Sequence, residues 1–357
     1  MKSGIRVGVI GTVNYRFLDN DGVQVNYPAN FTTPDPVALF GVLKEMYNAG
    51  VTHVLMEVSS HALEQKRLGP LSFALAIFTN LSQDHLDYHH TMDDYFASKA
   101  LLFREKMVPG APVIIHEPED NDDKKIWTDR LLEICVERQL SITRCGRTAG
   151  ADFKIISTQI DRSGTSFLCR VPGGSTCRIS SPLIGHFNVE NLLVSMAALL
   201  EIGVEQETIS NTLEHAVGAP GRMQRVELPV KGKELPVVLV DYAHTPDALE
   251  NVLATAKELP HNNIYCVFGC GGDRDNSKRP LMGEIACRYA DVAIVTDDNP
   301  RSEDPSQIRD HIIASKAIGR SNIKDQGWLL HRTDDERGCV EIADRIEAIR
   351  TAVHFGG

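Results

Sequence analysis

The sequence has no Cys-x-x-Cys pair, no Gly-x-x-x-x-Gly-Lys-Ser/Thr phosphate loop and no Gly-x-Ser-x-Gly nucleophile elbow. Its eight cysteines (135, 145, 169, 177, 266, 270, 287 and 339) are scattered, with no histidine cluster at zinc spacing beside them. Such thiols read as reduced residues of an intracellular chain, not as a disulfide framework. There is no apolar run of the roughly 18 residues that a membrane span needs, and Met1–Arg6 opens without the apolar stretch of a secretory leader. A cytoplasmic location is therefore expected. Basic charge is also short: Lys+Arg 37 against Asp+Glu 48 leaves a net charge of −11. That excludes a broadly basic nucleic-acid surface and a face suited to anionic lipid. Any polyanionic ligand must be held locally, by a few Arg or Lys side chains, backbone amides or a metal.

What is present is ordinary globular material: 357 residues, 42% hydrophobic and 24% charged, enough for about two domains. Strand-length apolar runs alternate with helical patterns. His53–Val58 follows a helix-like stretch from Asp35 to Ala49, and Phe73–Phe78 precedes a helix near Met92–Phe103. This alternation predicts a parallel sheet with helices on its faces. From Ala151 to about Ile184, short alternating pieces broken by Gly173-Gly174 predict a small antiparallel element, followed by a helix over Val189–Leu200. Gly218-Ala219-Pro220-Gly221 is a strong breaker, and the expected units are 1–223 and 224–357. In the second, Val237–Asp241, Ile264–Phe268 and Ala293–Thr296 read as strands of another open α/β unit, with helices from about Pro246 and Pro305. Polar residues cluster just past these strand ends, the edge where doubly wound sheets bind ligands.

Several of those polar residues suit particular chemistry. Glu57 ends a strand, where a carboxylate can hold Mg²⁺ or be satisfied by neighbouring amides. His85 closes the next strand; alone, it fits a structural role as well as a functional one. Lys99 lies between Ser98 and Ala100 ahead of Leu101-Leu102-Phe103. If turned inward, its amine loses its charge readily and can take up carbon dioxide as a carbamate; if turned outward, it is a snorkelling surface lysine. Gly269–Asp275 is a glycine-rich loop whose amides can approach an anion, with Arg274 as a fork donor. Asp298-Asn299-Pro300-Arg301 offers a carboxylate, an amide and a guanidinium on a stiff turn, a set that could grip a zwitterionic amino acid or simply form an Asx-Pro turn.

Taken in order, Asn30–Pro36, Met56–His61, Thr79–His89, Ser98–Ala100, Gly185–Asn191, Gly221–Met223, Asp241–Pro246 and Gly271–Asp275 resemble the Mur ligase family over nearly the whole chain. The branch it resembles adds the third peptide residue in peptidoglycan synthesis. The resemblance implies a central ATPase domain, with a parallel sheet and a small antiparallel element, followed by a Rossmann-like α/β domain. It implies an ATP-dependent ligase that phosphorylates the carboxylate of UDP-MurNAc-L-Ala-D-Glu and lets an amine attack the acyl phosphate. By resemblance, Glu57 and His85 are Mg²⁺ ligands, and Lys99 is carbamylated and supports a second metal. Thr32, Thr33, Ser59, Gln65 and Arg67 contact the UDP-MurNAc-peptide. Asn188, Asn191 and Arg222 lie around the nucleotide, with Asp241 and His244 nearby. Asp298, Asn299, Pro300 and Arg301 resemble the signature for meso-diaminopimelate, whose carboxylates Arg274 and Arg301 would hold. Other cell-wall enzymes are possible partners.

The family's phosphate loop precedes a segment like Val7–Thr12, and its Gly-Lys-Gly-x-Glu segment lies beyond a position like Gly357. The sequence is therefore expected to be an internal fragment, inactive or nearly so alone, with an open sheet edge where the phosphate-loop strand belongs. The alternatives are a non-catalytic remnant that binds nucleotide-sugar or cell-wall enzymes, a lysine-adding ligase, and a relative that adds glutamate to folates.

Overall fold

The computed structural model describes residues 5–226, 236–315, 318–319 and 322–356. The first unit runs β1 (Val7–Ile10), β2 (Asn14–Leu18), β3 (Gln24–Pro28), α1 (Pro36–Asn48), β4 (His53–Met56), α2 (Ser60–Glu64), β5 (Ala76–Phe78), α3 (Leu86–His89), α4 (Met92–Glu105), β6 (Pro112–Glu117), α5 (Lys125–Glu137), β7 (Ser141–Gly146), β8 (Phe153–Asp161), β9 (Gly164–Arg170), β10 (Thr176–Ser181), α6 (His186–Glu201) and α7 (Gln206–Leu213). Local chemistry sets the helix starts. Asp35 accepts from the amides of Val37 and Ala38 ahead of Pro36, and Thr91 accepts from Asp94, with Asp93 and Asp94 in the positive first turn of α4. The helix α4 buries Tyr95, Phe96, Ala100 and Phe103, which draws Lys99 to the margin of the core.

The strands form two sheets, in the orders β3-β2-β1-β4 and β10-β9-β8-β7-β6-β5. Strands β5 to β8 are parallel and β8 to β10 antiparallel, as the change of texture after Ala151 predicts. The helix α6 packs over this second sheet through Val189, Leu193 and Met196 against Ile114, Phe167 and Ile179. Truncating Phe167 to alanine there would cost about 3–5 kcal/mol.

Among the described residues β4 pairs only with β1, and β5 only with β6, so each is the edge strand of its sheet. Apolar side chains are left in the open on and beside them: Leu55 is 60% exposed, Ile77 40% and Val7 40%. Unpaired apolar edges template further pairing. The chain is therefore expected to self-associate as its concentration rises. Leu55→Lys should shift it toward the monomer in sedimentation velocity; equal association of the variant would contradict this.

The second unit comprises β11 (Gln224–Val226), β12 (Val238–Val240), α8 (Pro246–Glu258), β13 (Tyr265–Phe268), α9 (Lys278–Tyr289), β14 (Val292–Val295), α10 (Pro305–Ile313), β15 (Ile323–Lys324), α11 (Trp328–His331), β16 (Gly338–Glu341) and α12 (Arg345–Phe355). Four parallel strands lie in the order β13-β14-β16-β15, and β14 is buried along its whole length, as its unbroken apolar run requires. One expectation fails. The Val237–Asp241 run does not join this sheet; β12 pairs antiparallel with β11 instead, half-buried at Val238 and Leu239 and exposed at Val240. The units meet through Lys124 and Asp247 at 2.6 Å, His186 and Glu258 at 2.8 Å, and the Arg162 side chain on the Pro260 carbonyl at 3.1 Å.

Candidate active site

The loops at the carboxyl ends of β1 and β4 gather one polar network. Thr12 Oγ1 donates to Glu57 Oε2 at 2.6 Å and meets the Thr32 hydroxyl at 3.1 Å. Thr33 Oγ1 donates to the Glu57 carbonyl at 2.8 Å and accepts from the Ser59 amide at 3.0 Å. The Ser59 side chain caps α2 through the Ala62 amide. Arg67 donates to the Thr33 carbonyl at 3.1 Å and to Gln65 Oε1 at 2.6 and 2.8 Å, while Gln65 reaches the Tyr88 hydroxyl at 3.1 Å. Its guanidinium lies over the Phe31 ring. Thus Thr32, Thr33, Ser59, Gln65 and Arg67, which the resemblance groups as one set, fall in one bonded network with Glu57, Thr33 being buried within it. Gly11 makes this possible, since a Cβ there would stand 2.5 Å from Glu57 Oε1.

A second cluster lies on α3, α4 and the loop before them. His85 caps α3 with a left-handed backbone, φ 56°. Its Nε2 is 3.5 Å from Asp84, whose carboxylate also accepts from the His85 amide at 2.9 Å and lies 3.6 Å from His244 of the second unit. His61 meets His85 edge to face at 5.0 Å, and buried His89 bonds Ser60 Oγ at 2.8 Å and stacks on Tyr95. Lys99 Nζ stands 5.1 Å from the Tyr95 ring centroid. Burial pushes its pKa below the ordinary lysine value, with Asp84 partly opposing the shift. Half-buried and directed at the Tyr95 ring, Lys99 is closer to the inward alternative than to a free surface lysine. Burial likewise lowers the pKa values of His61, His85 and His89, favouring neutral rings.

Asp84 goes the other way: despite burial, the nearby His244 and His85 side chains and the bond from the His85 amide hold its carboxyl well below the ordinary range. A depressed folded-state value contributes stability above about pH 4 that disappears as pH falls through the folded value. Asp84→Asn is therefore expected to lower thermal stability at neutral pH, with the gap to the unsubstituted chain narrowing in acid. A gap independent of pH would contradict this.

The residues read as lying around the nucleotide are less tightly gathered. The Asn188 amide donates to the Ile184 carbonyl at 2.8 Å and is buried, tying the start of α6, whereas Asn191 is exposed. Arg222 lies over the Tyr242 ring at 5.0 Å. Asp241 accepts from the amides of Met223 and Ala243, both at 2.7 Å, which pins the junction between the units.

The glycine loop after β13 and the Asp298–Arg301 turn after β14 interlock. Gly272 donates to the Asn299 carbonyl at 2.9 Å, and Arg301 returns a bond to the Gly272 carbonyl at 2.5 Å. A Cβ on Gly272 would stand 1.9 Å from the Pro300 carbonyl oxygen, so only glycine fits. Asp298 approaches Arg345 at 3.9 Å. Arg274 reaches across to Asp87 of the first unit at 3.7 Å, which sets the glycine loop opposite α3 of the histidine cluster. Asp84, Thr12 and Asp87 enter these clusters through contacts that the sequence does not display. Asp84 and Asp87 lie inside the Thr79–His89 segment, flanking His85, but Thr12 had no signal beyond standing just after a strand.

These are two α/β units whose polar clusters gather past strand ends: a carboxylate network and a histidine–lysine cluster in the first, an arginine-bearing pair of loops in the second, with Arg274 and His244 reaching from the second unit to the first. The chain belongs to the Mur ligase family: residues 2–199 match its middle domain and residues 221–355 its glutamate ligase domain. It is 40% identical to the UDP-N-acetylmuramoyl-L-alanyl-D-glutamate--2,6-diaminopimelate ligase of Geobacillus kaustophilus over 99% of this chain and 66% of that protein. The Agrobacterium fabrum ligase of the same name is 41% identical over 90% of this chain and 60% of its own length. The chain thus spans slightly under two thirds of these relatives. A solved ligase of that name superposes with a TM-score of 0.61 at 32% identity, covering 98% of this chain and 65% of its own. A Mycobacterium tuberculosis folylpolyglutamate synthase shares the fold, with a TM-score of 0.68 at 18% identity. No helix among the described residues is long and apolar enough to cross a membrane, and all eight cysteines are free thiols.

Proposed function

We propose that the chain carries the acceptor and amine subsites of an ATP-dependent ligase that joins meso-diaminopimelate to UDP-MurNAc-L-Ala-D-Glu, in the cytoplasm. The supporting observation is that the Gln65–Tyr88 bond ties the Glu57 network to the histidine cluster beside Lys99, and that the Arg274–Asp87 pair brings the interlocked loops of the second unit against that cluster. Thr32, Ser59, Gln65 and Arg67 would face a polyanionic acceptor, while Thr33, fully buried, would order the loop that carries them through its bonds to Glu57 and Ser59. Arg274 and Arg301 supply the forks that a dicarboxylate amine requires, and lysine, with one carboxylate, needs only one of them.

The donor set fits Mg²⁺. Among the described residues no three His, Cys, Asp or Glu side chains cluster as a metal cage, and Mg²⁺ is normally held by one or two carboxylates with substrate phosphates completing its shell. Glu57 and His85 would hold it, and a carbamate on Lys99 would supply oxygens to a second ion. Bound there, the ion would offset charge building on phosphate oxygens. The chain's own residues orient the acceptor carboxylate and bring the amine, uncharged, to its acyl carbon. Asn188, Asn191, Arg222, Asp241 and His244 would border the ATP. Asn188 would do so through α6, since its own amide is engaged by Ile184.

Calorimetric titration with UDP-MurNAc-L-Ala-D-Glu tests the acceptor half. Binding is expected, and Arg67→Ala should weaken it about tenfold or more, the usual cost of losing a charge-assisted hydrogen bond. Equal binding by the variant would contradict the assignment. With no phosphate loop in its sequence, the chain by itself is expected to turn over ATP slowly or not at all, because the triphosphate lacks a backbone cradle; turnover at the rate of a full-length relative would contradict that.

A further inference from the structure

The second unit buries one guanidinium completely. Arg279, in the first turn of α9, has 0% exposure. Its Nη2 donates to Glu303 at 2.8 Å and to the Gly271 carbonyl at 3.3 Å, and its Nη1 meets His311 Nδ1 at 2.8 Å. Because arginine only donates, His311 accepts through Nδ1. The Nε atom is buried without a partner. A buried cation adds little net stability, and an apolar side chain of similar volume often does as well or better. Fold stability alone is therefore a poor account of Arg279.

Its partners suggest another account. Gly271 belongs to the glycine loop after β13, Glu303 to the turn after β14, and His311 to α10, so one side chain joins all three. Glu303 Oε1, which Arg279 holds, also accepts from the Asp273 amide at 2.5 Å. Asp273 in turn accepts from the Ser302 amide at 3.1 Å and from its hydroxyl at 2.7 Å. Asp273 and Arg301 are both left-handed, φ 52° and 51°, a conformation that non-glycine residues keep only when their surroundings enforce it. Arg274 and Arg301 project from this clasp. Without the Arg279–Glu303 pair, the loops keep their direct bonds to each other (Gly272 to Asn299, Arg301 to Gly272, Ser302 to Asp273) but lose the buried side chain that ties both to α9 and α10, and the setting of the two arginines loosens.

We propose that Arg279 is a positioning residue for the amine subsite: it locks the Gly269–Asp275 and Asp298–Glu303 loops together, so that Arg274 and Arg301 are spaced for an amine bearing two carboxylates. Discrimination against a single-carboxylate diamine then depends on Arg279, although it touches no substrate. This rests on the reading of the Asp298–Arg301 turn as the amine site.

The test compares the unsubstituted chain with Arg279→Met, Arg279→Lys and Glu303→Gln, the last opening the clasp from its partly exposed side. Amide hydrogen exchange is followed in residues 271–275 and 299–303 against β13 and β14, and meso-diaminopimelate and L-lysine are titrated in parallel. Arg279→Met and Glu303→Gln are expected to speed loop exchange about tenfold or more while the strands stay protected. They should cut the preference for meso-diaminopimelate about tenfold, leaving lysine binding little changed, and Arg279→Lys should restore part of the preference. Unchanged loop exchange in a folded Arg279→Met or Glu303→Gln chain overturns the inference alone. Exchange rising equally in loops and strands also overturns it, since that is general destabilisation. Failure of the unsubstituted chain to bind meso-diaminopimelate overturns the amine-site reading and the selectivity role with it, while the exchange arm still reports on the clasp.

Discussion

Arg301→Ala is expected to weaken meso-diaminopimelate binding about thirtyfold and to leave UDP-MurNAc-L-Ala-D-Glu binding within about twofold. The magnitude follows from losing one charge-assisted fork to a carboxylate, worth about 2 kcal/mol. The bond from Arg301 to the Gly272 carbonyl goes too, so the partner loop loses a tie. L-Lysine binding should fall less, which narrows the preference between the two amines. Calorimetric titration of each ligand reads all three effects. An equal loss for every ligand would point to unfolding of the turn, and no loss would remove Arg301 from the amine site. Arg274 should behave differently. Its present contact is Asp87 of the first unit at 3.7 Å, with the arginine more than half exposed. A carboxylate ligand therefore competes with Asp87 for it, and Asp87→Asn should strengthen amine binding slightly.

The second large effect concerns Lys99. With ¹³C-bicarbonate, a carbamate resonance is expected in the unsubstituted chain and none in Lys99→Met. The uncharged amine bonds to the carbon of carbon dioxide and releases one proton, so the signal should grow with pH. Burial favours this chemistry by disfavouring the ammonium form. The nearby Asp84 carboxylate opposes it, so Asp84→Asn should bring the resonance in at lower pH. A resonance of equal size in Lys99→Met would place the carbamate elsewhere, and no resonance in either chain would leave Lys99 as a half-buried amine packed on Tyr95.

Much of this was legible because the relevant signals are local. Asp35-Pro36 and Thr91 with two acidic residues behind it mark helix starts whatever the rest of the chain does. The β8–β10 element shows its alternation within a few residues. The β2–β3 hairpin had a usable signal that went unread. Asp21-Gly22 sits at its tip, Gly22 has φ 78°, and Asp19 accepts from the amides of Asp21 and Val23. The misplaced Val238–Val240 strand shows the limit: period gives the strand, but its partner is a long-range choice.

The site divides in the same way. Glu57, His85 and Lys99 could be singled out by residue type and position, and the ordered motifs gave them roles by resemblance. The bonds that join them were out of reach. Thr12 meets Glu57 across 45 positions, and Asp84 meets His244 across the two units. Gly272 against Pro300 looks in the sequence like any glycine of a flexible loop; the structure makes it a point of contact with no room for a side chain. Arg279 was hidden most fully, because a basic residue opening a helix reads as solvated and here it is wholly buried.

The central claim is that this chain holds the amine site of a meso-diaminopimelate-adding Mur ligase. The most direct measurement is a parallel calorimetric titration of the 357-residue chain with meso-diaminopimelate, L-lysine and L-glutamate. The account predicts binding of meso-diaminopimelate at least about tenfold tighter than of either competitor, the margin of one additional carboxylate fork. Equal affinity for all three, or preference for lysine or glutamate, would contradict it.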